Sequence, residues 1–75
     1  MKINYSFYLV VDHAIDKKES IFDSVSSLSD SNTTVHQEHI NGISTFQIDT
    51  TDFSVAAKIK LIFGHLIHHE DSGDA

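Results

Sequence analysis

The sequence predicts one small α+β domain, in which a three-stranded sheet is covered on one face by two helices in the order β-α-β-β-α. Three patterns predict it: alternation near the start, an Asn-Gly pair between two further alternating segments, and two segments with apolar residues at helical spacing. A chain of 75 residues has room for one domain. We expect this domain to cover residues 1–69 and residues 70–75 to form a polar, acidic tail.

The first strand is predicted over residues 3–11, where every second residue is apolar. Tyr8 and Val10 lie between these residues, so the second face of the strand is partly apolar too. The N-terminal segment lacks a small-residue cleavage site and becomes polar at Asp12, which favours a strand over a signal peptide. We therefore expect a cytoplasmic setting. No apolar run approaches the ~20 residues of a membrane helix.

The first helix is predicted over about residues 17–29. Asp16 and Glu19 have the spacing of a capping box, in which each side chain bonds the other residue's backbone N–H. Apolar residues then recur at helical spacing, while serine fills many of the other positions. Since serine favours helices weakly, this helix depends on packing.

A β-hairpin is predicted over residues 33–50. Asn41-Gly42 suits a two-residue type I′ turn, because both turn positions need positive φ. This turn places Ile40 opposite Ile43, with Val35, Phe46 and Ile48 on the core side. The further pairs in this register are Glu38–Thr45, His36–Gln47, Thr34–Asp49, Gln37–Phe46 and His39–Ser44.

The second helix is predicted over about residues 53–69. Its apolar positions form one broad stripe on a helical wheel: Val55, Ala56, Ile59, Ile62, Phe63, Leu66 and Ile67. A strand over residues 55–63 is the alternative, since apolar residues also alternate with lysines there. The helix is favoured because the stripe continues beyond Gly64.

The charge of the chain indicates which partners it can have. Lys and Arg total 5 and Asp and Glu total 11, so the net charge is −6 with neutral histidines. There is no arginine, and the acidic residues between positions 19 and 57 have no lysine among them. Nucleic acid and anionic lipid would be repelled, so basic surfaces are the expected partners. The alternative is that this charge only keeps the protein soluble.

Catalytic and cofactor motifs are missing from the sequence. The 3 glycines cannot form a dinucleotide or phosphate-binding loop, and there is no cysteine for a thiolate metal site. No G-x-S-x-G segment is present. We therefore expect no enzyme and no cofactor. His65 and His69 are weak candidates for metal ligands, because residues four apart on a helix share a face.

The uncovered face of the predicted sheet is the better candidate for a binding site. It combines an apolar centre with a polar rim, the composition of a protein-binding patch, whereas isolated surface apolar residues are the ordinary alternative. The candidate partner-binding residues are Tyr8, Val10, His36, Glu38, Ile40, Ile43, Thr45, Gln47, Glu70 and Asp71. This face or an edge strand could also support a homodimer.

The element order and the acidic residues Glu70, Asp71 and Asp74 resemble the DinI-like modulators of recombinase filaments. The resemblance implies an acidic second helix that engages a basic surface of the partner. It covers the order of the elements only.

The sequence thus favours a non-enzymatic, acidic protein-interaction module. The expected role is a small inhibitor or modulator, of phage or mobile-element type, that binds a basic surface of a nucleic-acid-handling protein. A homo-oligomeric structural or accessory protein is the alternative, and a histidine-based metal-binding protein is the third hypothesis.

Overall fold

The computed structural model describes residues 2–14 and 18–74 and contains a four-stranded antiparallel sheet with helices on one face. Its elements are β1 (Ile3–Asp12), α1 (Lys18–Ser26), β2 (Thr33–Ile40), β3 (Ile43–Thr50), α2 (Phe53–Phe63), a 3₁₀ turn (Gly64–Leu66) and β4 (Ile67–Asp74). The strands lie in the order β2-β3-β1-β4. The α+β class is confirmed, but the predicted three strands are one too few.

The hairpin has the predicted turn and register. Asn41 and Gly42 have φ values of 49° and 78°, as a type I′ turn requires. Ile40 lies opposite Ile43, and the pairing continues without a shift to Thr33 and Thr50. Because the turn fixes the register, it also fixes which hairpin residues face the helices.

The helix α2 covers the inner face of the sheet. Asp52 caps its start by accepting hydrogen bonds from the Ser54 backbone N–H at 2.9 Å and the Ser54 hydroxyl at 2.7 Å. Because α2 contains residues 55–63, the alternative strand over these residues is excluded. However, the predicted helix over 53–69 is too long, since α2 ends at Phe63.

The predicted acidic tail over residues 70–75 is wrong for residues 70–74, which belong to β4. This strand pairs with the free side of β1, with Asp71 opposite Ser6. Tyr8 lies opposite His69 and Leu9 opposite Ile67, which leaves His68 as an extra residue in a β-bulge. β4 carries no apolar alternation because it is an edge strand whose side chains after Ile67 are exposed.

The core lies between the sheet and the two helices. The sheet contributes the buried side chains of Phe7, Leu9, Val11, Phe46 and Ile48. The helices and the residues that follow them contribute Val25, Leu28, Ala56, Ile59, Phe63 and Leu66. The first helix, predicted over about 17–29, ends earlier than expected, at Ser26. The capping box predicted at Asp16 lies outside the described residues.

Within the described ranges, neither helix has the length and apolar character that crossing a membrane would require.

Candidate protein-binding face

The outer face of the sheet, defined as the face turned away from α1 and α2, collects most of the predicted partner-binding residues. Strand register places Tyr8 beside Gln47 and Val10 beside Thr45. β2 completes the same face through His36, Glu38 and Ile40, which are also opposite Gln47, Thr45 and Ile43. These side chains share one face because successive residues of a strand alternate.

A hollow of about 340 Å³ lies on this face next to the hairpin turn. Tyr8, Ile40 and Ile43 provide its apolar wall, and Glu38 provides a carboxylate. Asn41 and Thr45 complete the lining. Ile40 is 65% exposed and Ile43 is 42% exposed, so the hollow is open to a partner.

The electrostatic character of the outer face is acidic. Alternation and register place four carboxylates on it: Asp12, Glu38, Asp49 and Asp71. None of the strands in the described part of the chain contains a lysine. Asp49 accepts a hydrogen bond from the Ser6 hydroxyl, which fixes its carboxylate over the centre of the sheet. The strand residues of this face therefore carry negative charge, which attracts cations.

Glu70 does not join the other predicted partner-binding residues. It lies opposite Phe7, whose side chain points into the core, and is therefore on the helix side of the sheet. Its carboxylate is 3.2 Å from the Lys60 ammonium group on α2. Asp71, the next residue, lies opposite Ser6 and points to the outer face.

The predicted pair of metal ligands is wrong in its geometry. His65 lies in the 3₁₀ turn and His69 in β4, so the two do not share a helix face. Among the described residues, no group of three or more His, Cys, Asp or Glu side chains is arranged to hold a metal ion. The shared helix face that suggested a histidine-based metal-binding protein is therefore not present at His65 and His69.

A cluster of two histidines around a buried serine was not predicted. The Ser44 hydroxyl is 2.8 Å from His13 Nε2 and 3.1 Å from His39 Nδ1. The two imidazole rings stack with centroids 4.7 Å apart. Ser44 is 0% exposed, so its hydroxyl is not placed to attack a substrate, and the cluster satisfies a buried polar group.

The hairpin register predicts half of this cluster, because His39 lies directly opposite Ser44. On the β1 side, Ser44 lies opposite Val11, and His13 follows two residues later, just after the end of β1. Its backbone N–H donates to the Gly42 carbonyl oxygen at 3.0 Å, which holds the end of β1 beside the turn. No local sequence signal identifies that contact.

The helix α2 exposes apolar side chains that the core does not use. Ile62 was assigned to the core stripe, but it is 52% exposed, and Leu61 is 86% exposed. Phe53 is 69% exposed, with its ring 6.0 Å from that of Tyr5. The stripe predicted from the wheel was therefore too broad on this side.

The resemblance to the DinI-like modulators does not extend to the structure. The sheet has a fourth strand, and Glu70, Asp71 and Asp74 lie in that strand, not on the second helix. Comparisons of the chain with protein-family models, with curated proteins and with solved structures found no match.

Proposed function

We propose that this protein binds a basic surface of another protein through the outer face of its sheet. The observation that supports the proposal is the hollow at the hairpin turn, which combines an apolar wall with the Glu38 carboxylate. A lysine or arginine side chain has a matching composition, since an aliphatic stem carries its charge at the end. The stem would contact Tyr8, Ile40 and Ile43 while the charged group reaches Glu38.

The surrounding charges favour a basic partner over other ligands. Asp12, Asp49 and Asp71 share the outer face with Glu38, and together they raise the local concentration of cations. The same field opposes nucleic acid, whose binding depends on basic side chains that displace counterions. Proteins that handle nucleic acid present such basic surfaces and are the partner class that this face fits.

The role that follows is that of a non-catalytic modulator which occupies a basic surface. Within the described residues, the Ser44 hydroxyl that contacts two histidines is buried, and the binding hollow is open to solvent. Binding of this kind is electrostatic at its rim, so its affinity falls as salt concentration rises.

The proposal can be tested by titrating the labelled protein with an oligolysine peptide and following backbone NMR shifts. We expect shifts at Tyr8, Thr45 and Ile43, and none with an oligoglutamate peptide of equal length. Glu38→Gln should weaken binding about tenfold, since it removes one charge-assisted hydrogen bond. Asp23→Asn is the matched control, because it makes the same charge change at an exposed position of α1.

The apolar wall has its own test. Tyr8→Ala combined with Ile43→Ser should reduce binding without changing the net charge, while circular dichroism reports whether the fold is kept. If Asp23→Asn weakens binding as much as Glu38→Gln, attraction is a property of the total charge and the hollow is not the site.

A further inference from the structure

The sheet has two edge strands, β2 and β4, and they differ in how well they are protected against pairing with another strand. β4 carries three carboxylates, Glu70, Asp71 and Asp74, and a bulge at His68, all of which discourage pairing. β2 contains one carboxylate, Glu38, and no lysine or proline. Its 8 residues pair with β3 without a register shift. β2 is therefore the edge that is open to a further strand.

The turn geometry shows which backbone groups of β2 point to this open side. In a two-residue hairpin the residues that flank the turn, Ile40 and Ile43, exchange hydrogen bonds. Even-numbered residues of β2 thus bond β3, and odd-numbered residues direct their N–H and C=O groups outward. Thr33 agrees with this, because its N–H and C=O bond the backbone of Asp30 at 3.4 Å and 3.2 Å. Val35, Gln37 and His39 present the remaining outward groups.

We propose that two copies of this chain associate through antiparallel pairing of β2 with β2, which joins their sheets into one of eight strands. Gln37 lies opposite Gln37 of the second copy, and the two residues exchange backbone hydrogen bonds. His36 then lies opposite Glu38 of the second copy, and Glu38 opposite His36 of the second copy. Both contacts fall at non-hydrogen-bonded positions, where opposite side chains approach most closely.

The side chains of His36 and Glu38 favour this register over its neighbours. Facing residues must point to the same side of the joined sheet, so the strands can shift only by two residues at a time. A shift in one direction places His36 opposite itself, and a shift in the other places Glu38 opposite itself. The first shift leaves each His36 ring without a carboxylate opposite it, and the second places two carboxylates opposite each other, which is destabilising.

The spacing of His36 and Glu38 also identifies the occupant as a second copy. When a two-fold axis passes between the two β2 strands at Gln37, His36 of each copy lies opposite Glu38 of the other. The edge of β2 is therefore complementary to a second copy of itself. Within one chain the two side chains lie 3.4 Å apart, and they would exchange this contact for the one across the interface. They are 73% and 63% exposed, so both are accessible to a second copy. This association goes beyond the proposed function, because its backbone hydrogen bonds form at the strand edge, although Glu38 also lines the hollow.

The oligomeric state can be measured by analytical ultracentrifugation over a range of protein concentrations. We expect a reversible dimer for the unmodified chain. Gln37→Pro removes an outward N–H but leaves the ladder between β2 and β3 intact, so it should give a monomer that keeps its circular dichroism spectrum. A chain that stays monomeric at every concentration would overturn the proposal.

The register has a separate test that does not depend on proline. His36→Glu places a carboxylate opposite Glu38 of the second copy at two positions and should weaken the dimer about tenfold. The double change His36→Glu with Glu38→His exchanges the two side chains, restores a histidine opposite each carboxylate and should restore the dimer. Ser24→Glu is the control for added negative charge, because Ser24 is exposed on α1. Equal dimerisation of the single and double variants would show that the strands do not pair in this register.

Discussion

The hydroxyl oxygens of Thr33 and Thr50 lie 2.8 Å apart, and the two residues face each other across the open end of the hairpin. Both are buried, at 1% and 0% exposure. Thr50 Oγ1 also accepts a hydrogen bond from the Asp52 backbone N–H at 3.1 Å. One pair of hydroxyls thus joins the end of the hairpin to the residue that caps α2.

The two threonines should differ in their contribution to stability. Thr50→Val removes both hydrogen bonds at its hydroxyl and should lower the free energy of unfolding by about 2 kcal/mol. Thr33→Val removes one and should cost about 1 kcal/mol. Urea unfolding of both single variants and the double variant measures this. A double variant whose loss equals the sum of the single losses would show that the hydroxyls do not interact.

Gly42 should resist substitution because of its backbone conformation. Its φ of +78° is unfavourable for a β-branched residue, and an added Cβ would meet no atom within 4 Å. Gly42→Val should therefore lower the free energy of unfolding by about 1–2 kcal/mol through backbone strain alone. Gly73→Val is the matched control, since a Cβ there also meets nothing within 4 Å and no positive φ is required. Equal losses in the two variants would contradict the strain argument.

Asp52 should make stability depend on pH. Hydrogen bonds from the Ser54 hydroxyl, and next from the Ser54 backbone N–H, lower the pKa of its carboxyl below the ordinary value of 3.8. The unfolded chain therefore binds this proton more readily, and the stabilisation is present above the ordinary pKa and is lost as pH falls through the folded-state pKa. Asp52→Asn should melt at a lower temperature than the unmodified protein at pH 7, and the difference should shrink below about pH 4. A constant difference across this range would contradict it.

The hairpin could be predicted because its signals are local. Asn41 and Gly42 fix the turn, the turn fixes the register, and the register fixes which side chains face the core. The outer face followed from the same reasoning, since alternation in β1 places Tyr8 and Val10 on the side away from the helices. Each step needs only neighbouring residues of the chain.

The fourth strand could not be predicted because its signal is not local. Its eight residues are mostly polar and exposed, so alternation gives no indication of a strand. What makes it a strand is hydrogen bonding to β1, which is more than fifty positions away along the chain. The same missing pairing explains the misplacement of Glu70, because only the register with Phe7 shows that it faces the helices.

The predicted C-terminal end of α2 was wrong for a related reason. A wheel drawn through residues 53–69 assumes one continuous helix, and it cannot show that the helix ends at Phe63 and that pairing with β1 begins at Ile67. It also counts every apolar side chain near the stripe as buried. The sheet contacts a narrower part of the helix surface, so Ile62 remains half exposed while Ile59 is 0% exposed.

Substitutions to alanine at Ile59 and Leu61 should separate the buried face of α2 from its exposed face. Ile59 is fully buried against the sheet, so Ile59→Ala should leave a cavity and cost about 2–5 kcal/mol of unfolding free energy. Leu61 is 86% exposed, and Leu61→Ala should change the unfolding free energy by no more than about 0.5 kcal/mol. Both variants carry alanine in the same helix, so helix propensity contributes little to the difference. Urea unfolding followed by circular dichroism compares them, and a loss at Leu61 that approaches the loss at Ile59 would mean that an interface in solution covers this face of α2.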